Sequence, residues 1–399
     1  MKKRHVGVGE AESLFDAAER HLKRRKKHLA IGEADNGIDV FYTYERLMKD
    51  AAGTAILLSE LAHPSDPITV SASPYDTMVV LLAASALSRH VIVSDADKKM
   101  TFNGVIITDK STYSPRFISP AELRTLIAGV LSRGEPYPPA ALRGKMEITF
   151  RQGEKSDTYS EAALLLSASA FSVGCAITPR DKIVSVFSPH SPDGLFCGMI
   201  APIISGACVS VCPDSKSLLN HLKDLSPTKL FCPDGTAASL LLKLLKIKKK
   251  FPVPSHSPEP LSPARLWINR PSHPGISYVL GGKLGAIIAV GELPEASVNA
   301  LFTLGIYSVM MRSVRGLSPA LFRYGGDKLG AWSLPLGATA DMHNVQKGGI
   351  GNLILSSLGV RMGDPIKNTY AEGEKLSDCS LLTPLKCFIM KNGDVFLVK

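Results

Sequence analysis

Residues that can do chemistry are common in this chain, yet few stand at spacings that a working site requires. The ten histidines form no H-x-x-x-H pair and no Cys/His set with zinc-ligand spacing, so no compact metal motif is expected. No G-x-S-x-G elbow presents a serine nucleophile. Gly7-Val8-Gly9 and Gly325-Gly326-Asp327 lack the strand-then-helix setting of a dinucleotide loop. Two stretches can attract an anion. Arg151-Gln152-Gly153-Glu154-Lys155-Ser156-Asp157 offers a glycine and two cations, which either hold an anion or form a charged surface hairpin. The run from His21 to His28, HLKRRKKH, follows Leu14, Phe15, Ala18 and Leu22 at helical spacing. It reads as the solvated face of a helix, the alternative being a patch for nucleic acid or an anionic surface. No aromatic side chains interleave with these cations, so nucleic acid is not an expected partner.

The whole chain sets wider bounds. Its 399 residues exceed what a single core usually serves, and 45% hydrophobic against 21% charged residues is an ordinary globular balance that excludes wholesale disorder. The formal charge of +10 allows some affinity for polyanions. Seven cysteines, without a C-x-x-C pair, fit no disulfide framework. Cys208 and Cys212 fall on one face of an apolar strand, where thiols act as small hydrophobes. With a charged N-terminus and no uncharged run of the about 18–20 residues that a membrane span needs, the expectation is a soluble, cytoplasmic protein.

Periodicity supplies the elements that would position any site. Residues 11–30 read as an amphipathic helix, and a short strand and turn run through Gly37. A long helix follows Phe41-Tyr42-Thr43-Tyr44, with Leu47, Ala51, Ala55, Leu58 and Leu61 on one side. Strand 68–73, a helix from Tyr75 to Leu87, strand 90–95 and strand 104–109 give the βαβ signature of a parallel sheet. The same alternation recurs from helix 159–176 through strand KIVSVF, helix 194–205, strand CVSVC, helix 215–224, strand KLFC and helix 235–248. Seven prolines between Phe251 and Gly275 mark an irregular connection. Strand 285–290, helix 293–304 and strand 307–314 complete the unit. Beyond Gly325, short strands and an Asn392-Gly393 turn predict a small β-rich module. The fold class is therefore α/β: two doubly wound subdomains, residues 1–145 and 146–324, then a barrel-like β subdomain over 325–399.

This order of segments resembles the N-terminal domain of the adenylate-forming superfamily, which includes acyl-CoA synthetases and peptide-synthetase adenylation domains. FYTYERLMKDAAGTAILLSEL resembles the family's T-Y-x-E-L helix entry, and LFCGMIAPIISGACVSVCP resembles G-L-x-x-G-L-L-A-P-L-L-A-G-A-T-V-V-L. SPTKLFCPDGTAASLLL, GNLILSSLGVRMG and FIMKNGDVFLVK are similar to three further family stretches, in the family's order. The resemblance implies ATP-driven activation of a carboxylate, but the residues that would carry it are mostly changed. The phosphate loop, T-S-G-T-T-G-x-P-K-G, corresponds to residues 148–157, where Gly153 alone matches in place, Lys155 is a further cation, and Glu154 and Asp157 would oppose a triphosphate. The Y-G-x-T-E motif corresponds to Arg315-Gly316-Leu317-Ser318-Pro319. Gly316 is kept and Ser318 offers a hydroxyl, but proline supplies no carboxylate for magnesium. The ribose aspartate of T-G-D corresponds to Leu385, which cannot accept from sugar hydroxyls.

Val290-Gly291-Glu292-Leu293 resembles the turn that lies against adenine in the family. His190 falls within one residue of the family's acyl-pocket histidine, and it is either that residue or a loop histidine. The family's C-terminal lid, with its catalytic lysine, is not expected within these residues. Nucleotide-pocket remnants would thus be Gly153, Lys155, Gly291, Glu292, Gly316 and Ser318, with His190 the acyl-pocket candidate and no catalytic or metal residue. The expected role is a degenerate homologue that binds an acyl group, carboxylate or carrier protein, or regulates or scaffolds an active ligase, with no cofactor. The alternative is a divergent ligase that uses ATP and magnesium, with its lid supplied by another polypeptide.

Overall fold

A computed structural model describes residues 13–35, 38–94, 104–108, 117–133, 146–152, 155–212, 218–250, 274–325, 331–343, 345–346, 350–357, 374–377, 380–390 and 394–398. The helices begin where the sequence provides a side-chain acceptor for their free N–H groups. Ser13 caps Leu14–Arg25 in a reciprocal pair with Asp16, and Thr43 caps Tyr44–Leu61. Ser73 with Pro74, Ser119 with Pro120, and Ser160 open Pro74–Leu87, Pro120–Ser132 and Glu161–Gly174. Each such cap contributes roughly 1 kcal/mol, and proline at a first helical position has no N–H to leave unpaired.

Three sheets result. The first runs in the order Phe117–Ile118, Val105–Thr108, Ile68–Ser71, His90–Ser94, Glu147–Gln152, Lys155–Ser160. It is parallel except for the last pair, an antiparallel hairpin. The second has eight strands in the order Leu317–Tyr324, Tyr307–Val314, Ala286–Val290, Lys229–Pro233, Lys182–Ser185, Cys208–Val211, Leu29–Asp35, Ile38–Thr43. Its interior is parallel and both edges are antiparallel hairpins. The third is a small antiparallel sheet built from Thr339–His343, Gly351–Ser356, Ser380–Ile389 and Glu374–Ser377, with Val395–Leu397 paired to the long strand. The two α/β layers and the β-rich module match the class read from sequence.

Sheet membership does not part at residue 146. The hairpin 147–160 continues the first sheet, because Glu147–Arg151 pairs in parallel register with His90–Ser94. Residues 29–43 join the second sheet, where Ile31 lies opposite Val209. The segment 194–205 is not one α-helix: Asp193–Ile200 is a π-helix, and only Ala201–Ile204 continues as α-helix. Pro274 opens a short helix, Pro274–Val279, while 251–273 and Asn392-Gly393 lie outside the described residues. The six described cysteines are buried and in no disulfide; Cys208 and Cys212 pack as core residues.

Two cores hold the layers together. One lies between the first two sheets and gathers Leu47, Leu58, Tyr75, Leu82, Phe171, Phe196 and Phe231. The other fills the far face of the eight-stranded sheet and runs on into the small sheet through Trp332, Leu353, Leu381 and Val395. A charged joint reinforces the first. Glu33, on the eight-stranded sheet, accepts the backbone N–H of Tyr75 at 3.0 Å and the Tyr42 hydroxyl at 3.2 Å. Arg124 lies 3.8 Å from Glu33 and 2.8 Å from Asp76.

Candidate functional site

The hairpin Glu147–Ser160 stands where the sequence resemblance sets a phosphate loop. Its strands remain in register to the pair Gln152 and Lys155, so only residues 153 and 154 connect them. A turn of that length cannot wrap successive N–H groups around a triphosphate, as a phosphate cradle must. Gly153 lies outside the described residues, and Lys155 is a strand position at the hairpin's end. Asp157 does not face solvent as an isolated charge. Its carboxylate accepts from Arg315 Nε at 3.1 and 3.3 Å. The arginine that replaces the tyrosine of the second motif therefore neutralises the aspartate that replaces part of the first.

Below this ion pair opens a cavity of about 380 Å3 lined by Phe150, Asp157, Tyr159, Asp193, Ser313 and Ser318, among others. They come from the hairpin, the π-helix and the two strands at one edge of the eight-stranded sheet. Phe150 and Tyr159 project from the hairpin and meet Phe196 edge-to-face, with centroids 5.4 and 5.0 Å from it, and lie 5.9 Å from each other. Asp193 begins the π-helix. Ser313 and Ser318 flank the turn between two strands of the eight-stranded sheet. Both hydroxyls donate to the same atom, Asp193 Oδ1, at 2.7 and 2.5 Å. Cys197 Sγ lies 3.5 Å from Ser318. Burial raises the pKa of Asp193, and the two serine hydrogen bonds oppose that shift. The result is a small chamber with aromatic walls and a carboxylate fixed in orientation, able to receive a hydrogen-bond donor or a cation.

The other expected residues are distributed. Ser318 and Gly316 line this cavity, but Glu292 does not; it lies in a second cavity together with Leu385. Gly291 and Gly316 have φ of +123° and +91°. A Cβ on Gly291 would stand 2.2 Å from Asp234 Oδ2. Both glycines are thus required by backbone geometry alone, and their retention says nothing about a ligand. His190 is held in a turn by Ser188, whose hydroxyl accepts from the His190 backbone N–H at 3.2 Å and lies 3.4 Å from Nδ1; it is not among the residues lining the chamber.

ATP with magnesium fits this arrangement poorly. The hairpin offers no cradle, and the Arg315 guanidinium occupies the Asp157 carboxylate that a cation would need. Sequence reasoning missed Asp193 and Ser313. The signal for the aspartate was its position in the S-P-D-G stretch that opens the apolar helix, beside the histidine that drew attention instead. Nothing local marked Ser313, whose partner is 120 residues away in sequence.

The fold is that of the N-terminal domain of adenylate-forming enzymes. VinN superposes with a TM-score of 0.71 at 14% identity, over 98% of this chain and 99% of its own. The N-terminal domain of FACL13 from Mycobacterium tuberculosis gives 0.69 at 12% identity, over 97% and 100%. The Klebsiella oxytoca NpsA N-terminal subdomain gives 0.67 at 13%, over 97% and 100%. VinN has been seen in complex with L-aspartate, and the NpsA subdomain with anthranilyl-AMSN. At such identities the likeness concerns the fold. The sequence matches no family model and no curated protein. Among the described residues, no helix is long and apolar enough to cross a membrane.

Proposed function

We propose that this protein uses the adenylation-type fold to bind a small molecule, as a regulatory or scaffolding subunit, and does not activate carboxylates with ATP. The observation that supports this reading most directly is the hairpin register, Gln152 opposite Lys155, which leaves no loop for phosphates while the chamber beneath it persists. That chamber suits an amino-acid-sized ligand. A volume of about 380 Å3 lies at the low end of small-molecule sites, aromatic rings flank it, and Asp193 offers a fixed acceptor for an ammonium group. L-Aspartate, bound by VinN, is the natural first probe, followed by other amino acids and acyl compounds. Binding of a carrier-protein arm or an active ligase partner is compatible with the same role.

The test is calorimetric titration of the full chain with ATP–magnesium, beside a carboxylate-dependent pyrophosphate-exchange assay. Neither saturable ATP binding nor exchange is expected, whereas at least one small amine-bearing acid should bind. Micromolar ATP binding accompanied by exchange would overturn the proposal and restore the divergent ligase with a lid supplied by another polypeptide.

A further inference from the structure

The interior strands of the eight-stranded sheet all run in one direction, so this sheet has a carboxyl rim and an amino rim. Asp193 follows the strand Lys182–Ser185, and Ser313 lies near the end of Tyr307–Val314. The chamber therefore sits at the carboxyl rim, where open α/β sheets usually take their ligands. The amino rim, at the opposite end, carries a different chemistry. Along it the strands stand in the order Ala286–Val290, Lys229–Pro233, Lys182–Ser185, Cys208–Val211, Leu29–Asp35.

Cations gather where the chain enters these strands. Exposed Arg24, Lys26 and Lys27 lead into Leu29–Asp35, and exposed Arg180 leads into Lys182–Ser185. These two approaches touch, because Arg25 Nη1 donates to the Pro179 carbonyl at 2.9 Å. Lys223, in the last turn of the helix Leu218–Leu225, precedes Lys229–Pro233, and Lys283 precedes Ala286–Val290; both are exposed. The helix Asp234–Lys250 returns from the carboxyl rim and brings exposed Lys246 to the amino rim. Nearby carboxylates are mostly engaged: Asp181 by Lys229 at 2.6 Å, and Glu45 by Lys49 at 3.4 Å. Among the described residues of the rim, Asp224 is left as the exposed acid without a salt bridge. The pull of helix C-termini on cations accounts for Lys223 and Lys246, but Arg180 and Lys283 stand in turns outside any helix.

Four strand spacings of about 4.8 Å separate Leu29–Asp35 from Ala286–Val290, so the cations spread over about 19 Å. That exceeds the Debye length of about 10 Å at 0.1 M salt, and charges so far apart do not converge on one small anion. Apolar side chains stand among them. Leu29 is 37% exposed, and Tyr278, 66% exposed, lies beneath the Lys223 ammonium, 4.6 Å from the ring centroid. Leu242, one helical turn before Lys246, is 62% exposed. Nucleic acid would set these side chains against phosphates, and the Tyr278 ring, covered by Lys223, is not free to stack on a base. A lipid headgroup layer accepts both kinds of group, cations at its phosphates and apolar side chains at the acyl boundary.

We propose that the amino rim of the eight-stranded sheet docks this protein on an anionic lipid surface. The contact is peripheral and leaves the carboxyl rim, with its chamber, facing away from the lipid. It therefore does not depend on the function proposed above. Each cation brought close to such a surface contributes about fivefold in affinity, and the apolar side chains add a contribution that salt does not screen.

Co-sedimentation of the full chain with vesicles of phosphatidylcholine, with and without phosphatidylserine, tests this. Vesicles containing phosphatidylserine should bind about tenfold or more tightly than phosphatidylcholine alone, and less as salt is raised. Lys27→Glu and Lys283→Glu, at two different strands, should each weaken that binding by about fivefold or more. A basic chain can adhere through net charge alone, and Arg133→Glu, with the same change in charge, controls for this. The Tyr44 backbone N–H donates to the His28 carbonyl at 3.0 Å, which sets the start of the helix Tyr44–Leu61 at the rim. Arg133 pairs with Glu60 at that helix's other end, about 24 Å away, so its variant should bind within about twofold of the native chain. Leu242→Ser with Tyr278→Ser should weaken vesicle binding about threefold or more. Duplex DNA that binds more tightly than the vesicles assigns the rim to nucleic acid and overturns the proposal. Equal binding to both vesicle types overturns it too, as does an Arg133→Glu loss as large as that of Lys27→Glu, or no loss in the Leu242 and Tyr278 variant. Should one lysine variant fail to fold, as read by circular dichroism, the other decides.

Discussion

Asp193 carries a desolvation cost that Ser313 and Ser318 only partly offset, since burial is the largest influence on its carboxyl and raises its pKa. A raised folded pKa favours the protonated acid, so in the free protein the carboxylate becomes harder to hold as pH rises. An ammonium ligand reverses that preference, because it needs the ionised form. Affinity for an amine-bearing ligand should therefore increase as pH is taken upward from the ordinary aspartate value of 3.8, and should level off once Asp193 is ionised. Asp193→Asn should abolish this pH dependence and weaken binding by about tenfold or more; calorimetry across a pH series reads both. Arg315 allows a contrasting experiment. Its pair with Asp157 is partly exposed, and such a pair contributes at most about 1 kcal/mol. Arg315→Ala should shift the melting temperature little. It should not confer ATP binding, because the hairpin, rather than the ion pair, removes the cradle. Saturable ATP binding by this variant would show the opposite.

At the scale of elements, the sequence was clearest where apolar periodicity and caps agree. Tyr307–Val314 follows the expected bounds, and Pro74–Leu87 starts one residue earlier than expected. Leu317–Tyr324 was missed as a strand because its first residues were read as a motif, and a proline in a run argues against a strand except at an edge, which is where this one lies. The π-helix was hidden for another reason: an apolar run of eight residues does not distinguish one helical period from another. Long-range caps were equally invisible. Glu161 sits at the start of its own helix, yet its Oε1 accepts the Leu14 backbone N–H at 2.7 Å and the Ser85 hydroxyl at 2.5 Å. It thereby ties three helices together. Its Oε2 is buried with no hydrogen-bond partner among the described residues, and burial raises its pKa. The stabilising state is the protonated one, fully present below the ordinary value of 4.5 and lost as pH rises through the raised folded value. Glu161→Gln should consequently melt higher than the native chain at neutral pH, with the gap closing in acid. Glu161→Ala should cost about 1–3 kcal/mol at any pH, because it strands the N–H and the hydroxyl. Thermal melts at acid and neutral pH distinguish the two.

For the whole molecule, pattern along the chain gave the layers but not which strand joins which sheet. Register is a pairing between distant segments, and nothing in residues 29–43 announces that their neighbour is Cys208–Val211. That placement makes Glu33 the charged link between layers. It sits on the eight-stranded sheet and holds the N-terminus of Pro74–Leu87, which follows a strand of the six-stranded sheet. Arg124, from the helix Pro120–Ser132, completes the link through Asp76. Removing one member of a buried charged cluster leaves the others without compensation, which typically costs about 3–5 kcal/mol. Part of Arg124 is exposed, which lowers the expectation for Glu33→Ala to about 2–3 kcal/mol. Glu33→Gln should recover roughly half of that, since its amide oxygen can still accept the Tyr75 N–H but cannot balance Arg124. Because the core between the sheets draws on both of them, the native chain should unfold in one transition. If Glu33 is the joint, Glu33→Ala lowers the denaturant midpoint and broadens that transition as the layers uncouple. An unchanged midpoint would mean that apolar packing alone holds the two sheets together.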